Sequence, residues 1–260
     1  MTDRREAVTD RTGGSRETIV LVHGIPGSSR IWRGVKERLE PDFRVIAPDL
    51  LGFGTSPEPE PGPDGVWADA QARALAARLD DEGIERATLV GHDYGGPVSL
   101  ALAALRPELP ERLVLCATNT FPDVPIPLPI RAVTWPVVGD LAARVLFSGP
   151  SLRKLAGDDL VGDAREQRTT RTIFTTALRE LETRYAPIER SLRTIRAPAL
   201  VVWAGKDPFF ETEQGRRTAE ALPDGRLLLY EDCGHYVPAE QPGRLAADIR
   251  AFVREPVTAA

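Results

Sequence analysis

The sequence is poor in the residues that build disulfide frameworks, metal sites and membrane spans. Its 260 residues include two cysteines, three histidines and one methionine. Cys116 and Cys233 are too few for a disulfide framework, and with no apolar leader before them they read as free thiols. His23, His92 and His235 share no spacing with the cysteines that resembles a zinc site, so neither a metal nor a cofactor is expected. No apolar run approaches the ~18 residues that cross a bilayer. Lysine occurs only at 36, 154 and 206; the other basic residues are arginines, interleaved with acids rather than massed in one stretch. With a net charge of −5, the chain lacks the general positive charge of a nucleic-acid binder. Met1 to Glu17 is charged and has no apolar core, which argues against a signal peptide. The expectation is a soluble, cytoplasmic monomer or homodimer with no nucleic-acid or membrane partner.

What the chain does have is alternation. Thr18–Val22 is a short apolar, β-branched run, the pattern of a strand buried on both faces. Similar runs occupy 43–47, 87–90, 112–116, 199–203 and 226–230. Helical periodicity falls between them, at 31–39, 67–82, 97–105, 213–221 and 243–254. Strand and helix in turn predict an α/β fold, a mostly parallel sheet with helices on both faces.

One interval breaks this rhythm. It opens with Pro122, Pro125, Pro127, Pro129 and Pro136, which exclude a central strand. Helical patterns follow at 133–147, 151–155 and 165–185. The division expected is a flexible tail at 1–16, a core made of 17–121 and 191–256, and a helical cap at 122–190 placed over the sheet edge.

The chemistry centres on Val90-Gly91-His92-Asp93-Tyr94-Gly95-Gly96, between a predicted strand and a predicted helix. A sharp strand-to-helix turn crowds its own backbone, so it needs small residues on either side of its apex, and Gly91, Gly95 and Gly96 supply them. The apex residue is Asp93; a G-x-S-x-G pattern occurs nowhere in the chain. His23-Gly24-Ile25-Pro26 follows the first strand, Asp207 follows the fifth, and His235 follows the sixth. In this order the four segments resemble the α/β-hydrolase superfamily, in the Asp-nucleophile branch of epoxide hydrolases and haloalkane dehalogenases. The resemblance spans about 18–254 and implies an α/β-hydrolase fold with a helical cap. It implies Asp93 as nucleophile, His235 as the base for water, Asp207 as the acid that orients it, and the backbone N–H groups of Ile25 and Tyr94 as the oxyanion hole. Asp123, after the fourth strand, is the rival for the acid's place. His23 and His92 flank the motifs without holding an apex and read as structural.

An aspartate apex narrows the reaction. A carboxylate is already ionised at neutral pH and attacks a saturated carbon without a base. The product is an alkyl ester, whose carbonyl activated water can then hydrolyse. Attack on an ordinary ester or peptide would give an anhydride, which disfavours esterase and peptidase activity. Epoxide hydrolysis of a small hydrophobic substrate is the leading expectation. It needs an acid for the emerging alkoxide: Tyr185 is the cap's one tyrosine, and Tyr94 offers a second hydroxyl. Haloalkane dehalogenation is the alternative, although Tyr94 and Ile25 stand where those enzymes keep halide donors, leaving Trp135 as a candidate. Lactone ring opening, decarboxylation or rearrangement in a biosynthetic pathway is a third reading. A non-catalytic binding protein on a hydrolase fold is a fourth. The substrate-binding candidates are Tyr185, Trp135, Phe147, Phe174 and Val237.

Overall fold

The computed structural model describes residues 16–256. The expected N-terminal tail therefore lies outside the described residues, Arg16 excepted. Six strands form one sheet: β1 (Thr18–Val22), β2 (Arg44–Ile46), β3 (Ala87–His92), β4 (Pro110–Cys116), β5 (Ala199–Ala204) and β6 (Gly225–Tyr230). They lie in the order β2-β1-β3-β4-β5-β6, and every pairing is parallel. The helices in chain order are α1 (Arg33–Leu39), α2 (Pro63–Val66), α3 (Ala68–Asp81), α4 (Gly95–Leu105), α5 (Leu128–Arg131), α6 (Gly139–Leu146), α7 (Gly149–Ala156), α8 (Ala164–Arg179), α9 (Leu181–Leu192), α10 (Thr212–Ala221), α11 (Val237–Glu240) and α12 (Pro242–Arg254).

Side chains alternate across each strand, and the alternation builds two cores. Ile19, Leu21, Val114 and Val202 point to one face and meet Val35 and Leu39 of α1 and Ile249 and Phe252 of α12. Val20, Val22, Leu113 and Val201 point to the other face, against Leu75 of α3, Val98 of α4 and Leu192 of α9. Each fully buried Leu or Val contributes about 1.5–3 kcal/mol relative to exposure, so this pattern fixes register as well as fold.

The chain runs from β1 outward to the edge strand β2, then returns to place β3 on the other side of β1. The loops leaving β1 and β3 therefore diverge, and a crevice opens at their carboxyl ends, where parallel sheets bind ligands. The helices between β4 and β5 cover that edge. Val133, Ala143, Phe147 and Leu152 give this insertion a small core of its own. Buried Glu166 ties it down: its carboxylate accepts from Gly54 N at 3.0 Å and pairs with Arg30 at 3.3 Å.

Three expectations need correction here. The helical pattern at 165–185 is two helices, broken at Glu180, and the second runs on to Leu192. The pattern at 133–147 is likewise a short 3-10 turn at Ala132–Thr134 followed by α6. Finally, α9 packs on the core through Ile188 and Leu192, so the last part of the expected cap shares the core's interior.

Candidate active site

The carboxyl ends of β1, β3, β5 and β6 each deliver one part of the site. Asp93 sits directly after β3 in a left-handed conformation, φ 51°. For a non-glycine residue this is a strained position, and it lifts the side chain off the turn toward the crevice. The turn fits only because its neighbours lack Cβ atoms: one added at Gly95 would lie 2.2 Å from the Val22 carbonyl oxygen. Thr118 fixes the apex from the other side by donating to the Asp93 carbonyl at 2.6 Å.

The loop after β1 approaches so closely that a Cβ on Gly24 would stand 2.4 Å from that of Asp93. This closeness lets Ile25 N–H donate to Asp93 Oδ1 at 2.7 Å. His23 holds the loop in place, with its Nδ1 2.9 Å from the Gly24 carbonyl and its Nε2 accepting from Leu50 N at 3.0 Å. Burial drives His23 below the ordinary imidazole range despite the Gly24 carbonyl, and these bonds suit a neutral ring.

Asp207 follows β5. Its Oδ1 accepts from Phe209 N at 2.8 Å and Phe210 N at 3.1 Å. The same turn is pinned by buried Trp203, whose indole N–H donates to the Phe210 carbonyl at 3.1 Å. The other oxygen, Oδ2, lies 2.8 Å from His235 Nδ1, while His235 Nε2 points at Asp93 Oδ2, 3.5 Å away. His235 is held from behind as well, since the His92 ring nitrogen Nε2 lies 2.9 Å from the His235 carbonyl.

The charges reinforce one another. Burial opposes charge on His235, but Asp207 and Asp93 on either side outweigh it and raise its pKa to about 9. Burial likewise opposes charge on Asp93, yet His235 and the Ile25 N–H hold its carboxyl below the usual range. Burial and the neighbouring His235 lower His92 to about 4. In the resting site His235 is thus an imidazolium in line between the side chains of Asp207 and Asp93, walled by aromatic rings, with Phe209 4.9 Å and Tyr236 5.0 Å from it between centroids.

Above Asp93 the insertion closes a largely apolar cavity of about 160 Å³. Of the residues named from the sequence, Ile25, Tyr94, Phe147, Phe174 and Tyr185 line it. Two candidates do not. Trp135 is 55% exposed on the outside of the insertion, and Val237 is wholly buried against the α12 side of the sheet. Asp123 is no rival to Asp207, because it is exposed and paired with Arg217 at 3.1 Å. Tyr94 lines the cavity with its ring only, since its hydroxyl donates to the Val66 carbonyl at 2.6 Å. Tyr185 is buried beside Asn119 and Asp93, and burial foremost, then the Asp93 charge, raises its phenol well above the ordinary value.

Sequence reasoning missed Asn119, Tyr236, Phe209 and Phe210 as lining residues. The signal was available: each follows a strand's carboxyl end by a few residues, and the last three adjoin His235 or Asp207.

A parallel sheet in this order, with a strained apex residue after β3, an acid after β5 and a histidine after β6, defines an α/β hydrolase. The wider comparison agrees: the chain belongs to the alpha/beta hydrolase family, whose profile matches residues 19–248. It is 31% identical to a 2-hydroxy-6-oxononadienedioate/2-hydroxy-6-oxononatrienedioate hydrolase of Paraburkholderia phymatum, over 90% of this chain and 85% of that one. It is 27% identical to a cis-3-alkyl-4-alkyloxetan-2-one decarboxylase of Shewanella oneidensis, over 95% and 85% respectively. Among solved structures it resembles a haloalkane dehalogenase from Bradyrhizobium elkani, with a TM-score of 0.75, 22% identity, and coverage of 94% of this chain and 91% of that one, a likeness of fold.

Proposed function

We propose that the protein opens a strained oxygen ring, foremost an epoxide, on a small neutral hydrophobic substrate, through a covalent ester on Asp93. The observation that carries this reading is the division of labour between the two oxygens of Asp93. Oδ1 is held by Ile25 N–H, while Oδ2 faces His235 and is the oxygen free to attack. In the first step Oδ2 bonds to a ring carbon, the carbon–oxygen bond of the ring breaks, and the departing oxygen takes the Tyr185 proton. Oδ1 then becomes the ester carbonyl oxygen, already beside its donor. On esterification the His235 proton passes through solvent to the Tyr185 phenolate, which leaves His235 neutral. In the second step His235 removes a proton from water, and the hydroxide attacks the Asp93 carboxyl carbon. The N–H groups of Ile25 and Tyr94 carry the tetrahedral charge. Collapse then releases the diol, restores the carboxylate and leaves His235 as the imidazolium it was at the start.

Esterification would also tune the base. Once Asp93 is an ester, its negative charge no longer supports the imidazolium, and His235 becomes a free base when one is needed. The cavity favours a neutral substrate, because no Arg or Lys is among its described lining residues. This argues against the dioate substrate in the name of the Paraburkholderia relative. Halide departure is also disfavoured: the Tyr94 hydroxyl is committed to Val66, the Ile25 side chain is apolar and Trp135 lies outside.

A second reading, ring opening of a β-lactone, is favoured by the oxetanone decarboxylase relative. The two readings differ in the leaving group, because an epoxide gives an alkoxide that needs a proton and a lactone gives a carboxylate that does not. Steady-state turnover of wild type and Tyr185→Phe on apolar epoxides and β-lactones separates them. The epoxide reading expects a loss of about 10²–10⁴ in kcat on epoxides. Wild-type turnover of lactones alone, untouched by the variant, would replace it with the second reading.

A further inference from the structure

The insertion carries an apolar face that the fold leaves largely exposed. Of the nine large hydrophobic side chains exposed among the described residues, seven fall within 128–155. Val137 is 92% exposed and Leu128 77%, and Leu141 and Val145 stand one turn apart on the same side of α6. A single exposed Leu is ordinary, but a concentration of this kind marks a contact surface.

The surrounding charge says what it contacts. Within 124–156 the basic residues are Arg131, Arg144, Arg153 and Lys154, and the one acid is Asp140. Asp140 is engaged by Arg179 at 2.7 Å, and Arg153 by Asp158 at 3.8 Å. Among the described residues Arg131, Arg144 and Lys154 form no ion pair, and all three are exposed. Of the acids flanking this stretch, Asp123 pairs with Arg217, Asp163 caps α8 by accepting from the backbone of Arg165 and Glu166, and Asp159 has no ion-pair partner among the described residues. A net-negative protein thus presents an apolar face with a basic rim.

We infer that this face docks on an anionic lipid surface. A second copy related by a two-fold axis would set the basic rim against itself, whereas anionic headgroups complement it. Trp135, exposed beside the apolar side chains, suits the boundary between acyl chains and headgroups. The face is continuous with the cavity, because Leu155 is both exposed and cavity-lining, and Val124 to Pro127 line the same opening. A lipid-dissolved apolar substrate would therefore meet the mouth directly, a corollary that rests on the proposed function while the docking itself does not. The absence of a spanning run, which led to the expectation of no membrane partner, does not bear on a face that lies on the surface.

The test is vesicle co-sedimentation of the full chain at low salt, with phosphatidylcholine alone and with about one-third phosphatidylglycerol. Two solvent-exposed sets of substitutions accompany it, Arg131→Gln/Arg144→Gln/Lys154→Gln and Val137→Ser/Leu141→Ser. Wild type is expected to bind the anionic vesicles and to be released by salt. The triple variant should lose roughly a hundredfold in affinity for them, at about fivefold per cation. The double variant should also lose binding to the anionic vesicles, because the apolar side chains that enter the bilayer surface are gone. Failure of wild type to sediment with anionic vesicles, or wild-type binding by either variant, would overturn the inference. A wild-type dimer by analytical ultracentrifugation that Val137→Ser/Leu141→Ser splits would also overturn it, and would assign the face to a second copy.

Discussion

Replacing Asp93 with Asn tests the electrostatics of the site at one atom. The amide keeps an acceptor for Ile25 N–H and removes the charge facing His235, so it imitates the esterified enzyme without substrate. The separation is 3.5 Å between His235 Nε2 and Asp93 Oδ2. At an effective dielectric of ~20, unit charges at that distance attract by about 5 kcal/mol, a gross figure. Opposite charges this close typically shift a pKa by 1–3 units, so the His235 midpoint should fall from about 9 by roughly two pH units. Proton NMR of the imidazoles can read this cleanly, because the chain has three histidines. His92 is held at about 4 and His23 is lowered by burial, so above pH 6.5 the titrating ring is His235. The sign follows. Below the midpoint His235 is an imidazolium and cannot deprotonate water, so lowering the midpoint makes a base at neutral pH. A wild-type midpoint near the ordinary 6.5, or a midpoint in Asp93→Asn that stays at about 9, would refute the reasoning.

Other substitutions separate structural from chemical roles. Tyr94→Phe removes a buried donor to the Val66 carbonyl and should cost about 1–3 kcal/mol in urea unfolding, while epoxide turnover stays within a few-fold of wild type. A large loss of turnover at unchanged stability would give the Tyr94 hydroxyl a chemical role instead. Glu166→Ala strips the partner from the buried end of the insertion's tether and should also cost about 1–3 kcal/mol, because Gly54 N–H loses its acceptor. An unchanged unfolding midpoint would show that the tether contributes nothing. Gly24→Ala drives a methyl group into Asp93 and should abolish turnover and lower the melting temperature together, since overpacking costs about 1–3 kcal/mol or more. Wild-type turnover in that variant would mean the loop after β1 can retreat, contrary to the packing described.

The parts of the molecule legible in the sequence are those set by backbone sterics. Thr18–Val22 is read to the residue, and the remaining strands to within two, because short apolar runs that alternate with helical periodicity have few other places to go. Asp93, Asp207 and His235 come together because each lies just past a strand's carboxyl end, a position visible as apolar run, small residue, polar residue. What the sequence hides is direction. Val237 adjoins the His235 loop, yet the short turn of α11 aims it into the core. Trp135 is a large aromatic in an apolar segment, yet the proline-rich entry to the insertion leaves it facing outward. Tyr94 holds the expected place, but its hydroxyl is spoken for by a carbonyl 28 residues earlier in the chain. The break between α8 and α9 has the same cause, since α9 turns to pack Ile188 and Leu192 onto the core and nothing local announces it.

The central claim is that Asp93 is a covalent nucleophile, and trapping its ester tests that most directly. His235→Ala would be incubated with a panel of apolar epoxides and β-lactones and examined by intact-protein and peptide mass spectrometry. The account predicts an adduct of the whole substrate's mass on the Asp93 peptide, because an opened ring keeps its oxygen. It also predicts that wild type turns the same compound over without accumulating the adduct. Wild-type turnover of a compound that leaves the Asp93 peptide of His235→Ala unmodified would contradict it.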